Sequence, residues 1–186
     1  MTTGEDIRVA TAADADAIAA LHADSWRRTY RGMMLDSYLD GDLDGERRGV
    51  WRGRFADPRP DQRVWVAVDG SGLLGFACLF GDGDPTWGAY VDNLHVRVDQ
   101  RGRGLGLALL RRAAEWTLRE RPGAGMWLWV MERNENARGF YRRAGAVEVE
   151  RTISTTPAED SAPILRCHWP DPATVATPSP RSPSPR

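Results

Sequence analysis

Between residues 88 and 120 the sequence reads as a strand, a turn with glycines at 102, 104 and 106, and a helix with no room for a loop between them. This is the segment that most narrows what the chain can become. Glycines allow a backbone to approach a ligand closely and to aim successive N–H groups into one space, and the positive end of the helix dipole adds attraction for an anion. The expected ligand is a phosphate or pyrophosphate. A dinucleotide-binding G-x-G-x-x-G turn would need its last glycine at Leu107, and it would follow the first strand of a parallel sheet. Here the segment lies mid-chain, after an antiparallel hairpin.

That hairpin is signalled by Asp69-Gly70-Ser71-Gly72 between two β-rich runs, 64–68 and 73–80. Before it come a short strand at 7–10 and a helix beginning at Thr11-Ala12-Ala13-Asp14, which fits a capping box. Ile18, Leu21, Ser25 and Trp26 share one face of that helix, and a second helix at 46–55 groups Val50, Trp51 and Phe55. Residues 81–85 read as an acidic, glycine-rich loop, and a strand follows at 88–98. Leu105, Leu109, Ala113 and Trp116 repeat at helical spacing over 105–120 until Arg121-Pro122-Gly123 stops the helix. A compact apolar strand at 126–130, a helix at 136–144 and strands at 147–153 and 164–169 complete the order β-α-α-β-β-β-α-β-α-β-β. The reading is an α/β chain of the α+β type: a mixed, mostly antiparallel sheet of six to seven strands, about four helices, and a central βαβ unit. The domain is expected over 1–169, followed by a disordered tail over 170–186, where Pro, Ser, Thr and Arg cannot bury enough surface to offset their ordering entropy.

Composition removes several function classes. All 25 basic residues are arginine, so a Schiff-base lysine and a Walker A loop are both excluded. A formal net charge of −1 gives no field to draw nucleic acid or anionic lipid, although arginines pair at 27–28, 47–48, 111–112 and 142–143. Cys78 sits in an apolar run and reads as core, and Cys78 with Cys167 makes neither a disulfide framework nor a metal motif. No metal is expected. With no signal-like or membrane-length apolar run in the sequence, the expected location is cytoplasmic.

A second motif follows Gly106 by 28 residues: Asn134-Glu135-Asn136-Ala137-Arg138-Gly139-Phe140-Tyr141-Arg142-Arg143-Ala144-Gly145. Together the two segments resemble the GNAT acetyltransferase superfamily. Its Gln/Arg-x-x-Gly-x-Gly/Ala pattern is met by Arg101, Gly104 and Gly106, and its Asn-x-x-Ala-x-x-Phe-Tyr pattern by Asn134, Ala137, Phe140 and Tyr141. Ala146 departs from the large apolar residue usual after Gly145, a difference of packing. The resemblance covers nearly all of 7–169 and implies a GNAT fold with acetyl-CoA as cofactor.

The resemblance also implies roles. Arg101, Gly102, Arg103, Gly104, Leu105, Gly106 and Leu107 would hold the pyrophosphate, with Asn134 on the pantetheine arm. Leu94, His95 and Val96 would occupy a bulged, splayed strand whose free backbone receives the acetyl carbonyl, with the Val96 N–H facing the developing oxyanion. Tyr141 would bind the cofactor and protonate the departing thiolate. Asp92 is the expected base, with a solvated strand carboxylate as the competing reading. Alternation puts Asp92, Leu94 and Val96 on one face unless a bulge intervenes. Trp26 and Tyr30 are expected either to wall the acceptor pocket or to pack in the core. His22 and His168 read as structural, and His95 is the histidine nearest the expected chemistry. The implied reaction is direct acetyl transfer to a primary amine of a small molecule. An N-terminal peptide acetyltransferase and a non-catalytic acyl-CoA-binding module are the alternatives. Homodimers are common in the family.

Overall fold

A computed structural model describes residues 6–176 of the 186-residue chain. Its strands are β1 (Asp6–Val9), β2 (Gln62–Asp69), β3 (Gly72–Asp84), β4 (Gly88–Val96), β5 (Met126–Met131), β6 (Val147–Ile153) and β7 (Pro163–Trp169). Its helices are α1 (Ala15–Thr29), α2 (Asp36–Leu39), α3 (Leu43–Ala56), α4 (Leu105–Glu120), α5 (Glu135–Arg143) and α6 (Ala173–Ala176). One seven-stranded sheet runs in the order β1-β2-β3-β4-β5-β7-β6, and β4 with β5 is its parallel pair. The βαβ unit expected at its centre is therefore β4-α4-β5. Among the described residues no helix is long and apolar enough to cross a membrane.

Strand alternation divides the apolar residues between two layers. Ala77, Leu79, Ala89, Val91, Leu128, Cys167 and Trp169 pack against Leu105, Leu109, Leu110 and Ala113 of α4. On the opposite face Val64, Val66, Phe76 and Cys78 meet Ile18 and Leu21 of α1 and Trp51 of α3. Both cysteines are buried, and burial pushes each thiol up to about 12.

Several boundaries differ from expectation for local reasons. The acidic run 81–85 is mostly strand, because β3 stays paired as far as Asp84↔Gly88. The extra helix α2 is a single turn with Leu39 buried beneath it. At the start of α1 the Asp14 carboxylate accepts from the Thr11 N–H at 2.8 Å, and the Thr11 hydroxyl donates to that same carboxylate at 3.2 Å. The ordered chain also passes the expected boundary at residue 170. Pro172 opens the turn of α6, which buries Val175, and Arg111 Nε donates to the Val175 carbonyl at 3.1 Å. Residues 177–186 of the expected tail lie outside the described residues.

The feature that positions the site is how little β4 and β5 touch. Their pairing is confined to Ala89↔Met126 and Tyr90↔Trp127. At this root the backbones come together closely: Gly88, at φ +87°, would carry a Cβ 2.0 Å from the Gly125 carbonyl oxygen. Beyond Tyr90 the strands part. Gly88→Ala, which combines left-handed backbone with a clash against main chain, is expected to cost at least about 1–3 kcal/mol in urea unfolding. Wild-type stability in that variant would remove Gly88 from this role.

Candidate active site

The gap between β4 and β5 opens into a cleft of about 780 Å³ lined by both motifs. Its first wall is the mouth of α4. Gly104, at φ +85°, stands at the N-cap, and the first helical hydrogen bond runs from Ala108 N–H to the Gly104 carbonyl at 3.0 Å. The amides of Leu105, Gly106 and Leu107 are therefore without helical acceptors. No acidic residue occupies this first turn. A donor cluster of this kind suits an anion.

The second wall is the free edge of β4. Arg97 N–H donates to the Leu74 carbonyl on β3 at 2.8 Å. Alternation turns the peptide groups of Leu94 and Val96 the other way, into the gap that β5 has vacated. In keeping with this, Arg101 reaches back from the turn and donates to the Val96 carbonyl at 3.4 Å.

The third wall is α5. Asn134 caps it, its side-chain oxygen accepting from the Ala137 N–H at 3.2 Å. That bond fixes the helix start and explains the spacing of Asn134 and Ala137. Tyr141 lies on the inner face, edge-on to Phe140 and Trp169 with ring centroids 5.2 and 5.9 Å away. Its hydroxyl has no hydrogen-bond partner among the described residues, and burial shifts it upward, so it stays protonated at neutral pH. Tyr30 closes the cleft from α1, and burial holds its hydroxyl at about 12.

Most of the expected site residues thus meet at one place: Leu94, His95, Val96, Arg101, Gly102, Gly104, Leu105, Gly106, Leu107, Asn134, Tyr141 and Tyr30 all line the cleft. Three do not. Arg103 turns aside to Gln100, donating to its side-chain oxygen at 3.1 Å. Trp26 packs between Tyr30 and Tyr38 under the Arg47 guanidinium, on the core side of α1.

Asp92 is displaced by the bulge itself. The β3–β4 register passes from Cys78↔Asn93 to Leu79↔Val91, leaving Asp92 as the extra residue. The irregularity therefore precedes Leu94–Val96, and it resets the alternation. Val91 and Leu94 both face the α4 layer, whereas Asp92 faces α3 and binds Arg54 at 2.6 Å. The Arg54 guanidinium is stacked in turn on Trp51 and Phe80 at 5.0 and 5.3 Å.

The sequence reading missed Arg133 and Arg143, which join Arg101 around the cleft. It also missed what Ser25 does: its hydroxyl lies 2.9 Å from His95 Nδ1. The available signal was a serine on the apolar face of an amphipathic helix, where a hydroxyl needs a partner.

Residues 18–146 match the model of the acetyltransferase (GNAT) family. A probable N-acetyltransferase of Mycobacterium tuberculosis is 33% identical over 149 residues, 74% of this chain and 76% of that protein. The streptothricin acetyltransferase of Streptomyces lavendulae is 36% identical over 88 residues, 46% of this chain and 44% of that protein. Among solved structures, the PaiA N-acetyltransferase of Thermoplasma acidophilum, in complex with coenzyme A, superposes with a TM-score of 0.69 at 19% identity. That superposition covers 88% of this chain and 98% of the other.

The placement of Asp92 generates a prediction. Asp92→Asn is expected to lower unfolding stability by about 1–2 kcal/mol through the half-buried Arg54, while leaving coenzyme A affinity and turnover near wild type. Turnover abolished in a well-folded Asp92→Asn protein would return this carboxylate to the chemistry. With both motifs lining one cleft and the family model matching most of its length, the chain belongs to the GNAT acetyltransferase family and is by that membership an N-acetyltransferase, with acetyl-CoA as the family's co-substrate.

Proposed function

We propose that this protein transfers an acetyl group from acetyl-CoA to a primary amine of a small molecule, by direct attack while both substrates are bound. The observation that carries the reading is the convergence of three unsatisfied groups on one cleft: the α4 amides, the free β4 edge and the Tyr141 hydroxyl.

Each has a task in that reaction. The amides of Leu105 to Leu107 bind the diphosphate, and Arg101, Arg133 and Arg143 add charge for the remaining phosphate. The β4 edge receives the pantetheine amides, and the Val96 N–H stabilises charge growing on the thioester oxygen, an interaction worth about 3–4 kcal/mol in other acyl-transfer sites. Tyr141 gives its proton to sulfur as the C–S bond breaks. A tyrosine with a raised pKa suits that role, because it reaches the transition state still protonated.

The acceptor side begins beyond the β4 edge, at Ser25, Thr29, Tyr30 and Met33. Local similarity to a streptothricin acetyltransferase supports an amine-bearing small molecule. An alkyl amine with a pKa near 10 is about one part in a thousand neutral at pH 7, so freeing its lone pair costs about 4 kcal/mol.

The test is an amine panel with acetyl-CoA, following thiol release and comparing streptothricin, spermidine and a short peptide with a free N-terminus. Transfer to a small amine is expected. Faster transfer to the peptide would move the reading to N-terminal acetylation, and coenzyme A binding without transfer would leave a non-catalytic module. Tyr141→Phe is expected to lower turnover at least about tenfold with little change in cofactor affinity. Wild-type turnover in that variant would remove Tyr141 from the mechanism.

A further inference from the structure

Amine acetylation needs a group that takes a proton from the attacking nitrogen, and the groups lining the cleft leave few candidates. The lining arginines are permanently charged donors. Tyr30 and Tyr141 are held protonated by burial. Glu135, the first residue of α5, is an exposed carboxylate 3.5 Å from Arg138, and Asp92 is bound to Arg54 against α3 and does not line the cleft. His95 remains. It lies on β4 between Leu94 and Val96, the two residues whose backbone faces the gap.

The surroundings of His95 differ from those of a packed core histidine. Ser25 of α1 holds its Nδ1 at 2.9 Å, and its Nε2 has no partner among the described residues. One side of the ring rests on Phe76, with centroids 5.3 Å apart, and on His22, 4.8 Å away. The state of His22 is fixed by a further contact. Trp51 Nε1–H can only donate, and it points at His22 Nδ1 from 3.0 Å. His22 Nδ1 therefore carries a lone pair, its proton sits on Nε2, and the ring is neutral; burial lowers its pKa further. Arg101, on the cleft side, also disfavours charge on His95. His95 therefore rests as a neutral imidazole at the point where the acceptor meets the β4 edge.

We infer that His95 is the proton acceptor of the transfer reaction, with Ser25 as its positioning residue: Nδ1–H donates to Ser25 Oγ, and the Nε2 lone pair faces the acceptor nitrogen. The inference rests on the acetyl-transfer reading above. The alkylammonium loses one proton to water as it enters. The neutral amine forms the C–N bond, and the nitrogen passes a second proton to His95 Nε2. The C–S bond breaks, and sulfur takes its proton from Tyr141. Solvent in the cleft then carries the imidazolium proton to the Tyr141 phenolate, restoring both residues, so one acetamide, one thiol and one solvent proton result.

Two measurements test this, and the first needs no acceptor. The chain has three histidines, so long-range ¹H–¹⁵N correlation on ¹⁵N-labelled full-length protein, with and without coenzyme A, reads each tautomer. His95, identified by the signals lost in His95→Gln, is expected as the Nδ1–H form, and His22 as Nε2–H. In Ser25→Ala the Nδ1–H population should fall. An Nε2–H tautomer at His95 in the wild-type protein overturns the assignment. This holds whether or not any amine is acetylated, so its failure is distinct from failure of the acetyl-transfer reading. The second measurement is turnover of His95→Ala on whichever of streptothricin or spermidine the wild type acetylates. A loss of about a hundredfold is expected, with unchanged coenzyme A affinity and partial recovery on adding free imidazole. Near-wild-type turnover, or a loss that imidazole does not move, overturns the role.

Discussion

The separation of β4 from β5 is the constraint on which the rest of this molecule depends. Two neighbouring parallel strands would ordinarily satisfy each other along their length. Here they pair at Ala89↔Met126 and Tyr90↔Trp127, and then diverge. The peptide groups beyond that point must find other partners, because unpaired backbone away from water is costly. A ligand bearing amides and a carbonyl can supply them, and the mouth of α4 stands beside the same gap with three more free donors. The fold thus leaves a deficit of hydrogen bonds in one place, which a bound ligand can fill. The Gly88–Gly125 contact at the root keeps the strands close enough to form one sheet while they part above it.

The bulge at Asp92 is the second consequence of that geometry. By adding one residue to β4 it reverses the facing of everything after it, so Leu94 and Val96 join the α4 layer and His95 turns toward α1. Asp92 itself is left facing α3, where Arg54 neutralises it across the Trp51 and Phe80 rings. One inserted residue therefore decides which way the side chains of Leu94, His95 and Val96 face. The carboxylate and the imidazole thus lie on one face of the sheet, Asp92 against Arg54 of α3 and His95 between Ser25 and His22 of α1.

The sequence carried the fold and most of the cleft because those depend on local chemistry. Glycines at 102, 104 and 106 are written into the turn, and the Asn134-to-Ala137 spacing is an N-cap bond. The alternation of β2 and β3 assigns their core faces directly. What could not be read depends on register. A bulge leaves no residue signature at Asp92, so the face of that carboxylate was settled by pairing with β3. Arg133 and Arg143 reach the site, and Ser25 reaches His95, through the packing of α1 and α5 against the sheet, which joins positions as much as 101 residues apart, as when Arg133 donates to the Gly32 carbonyl. The helix α6 was hidden by composition, since two prolines flank a single buried valine.

The central claim is that bare amides at the start of α4 bind a diphosphate. Amide chemical shifts followed by ¹H–¹⁵N correlation during a coenzyme A titration test it most directly. Saturable binding is expected, with the largest downfield movements at Leu105, Gly106 and Leu107. Binding that leaves those three amides unmoved, or no binding by a well-folded chain, would contradict the account.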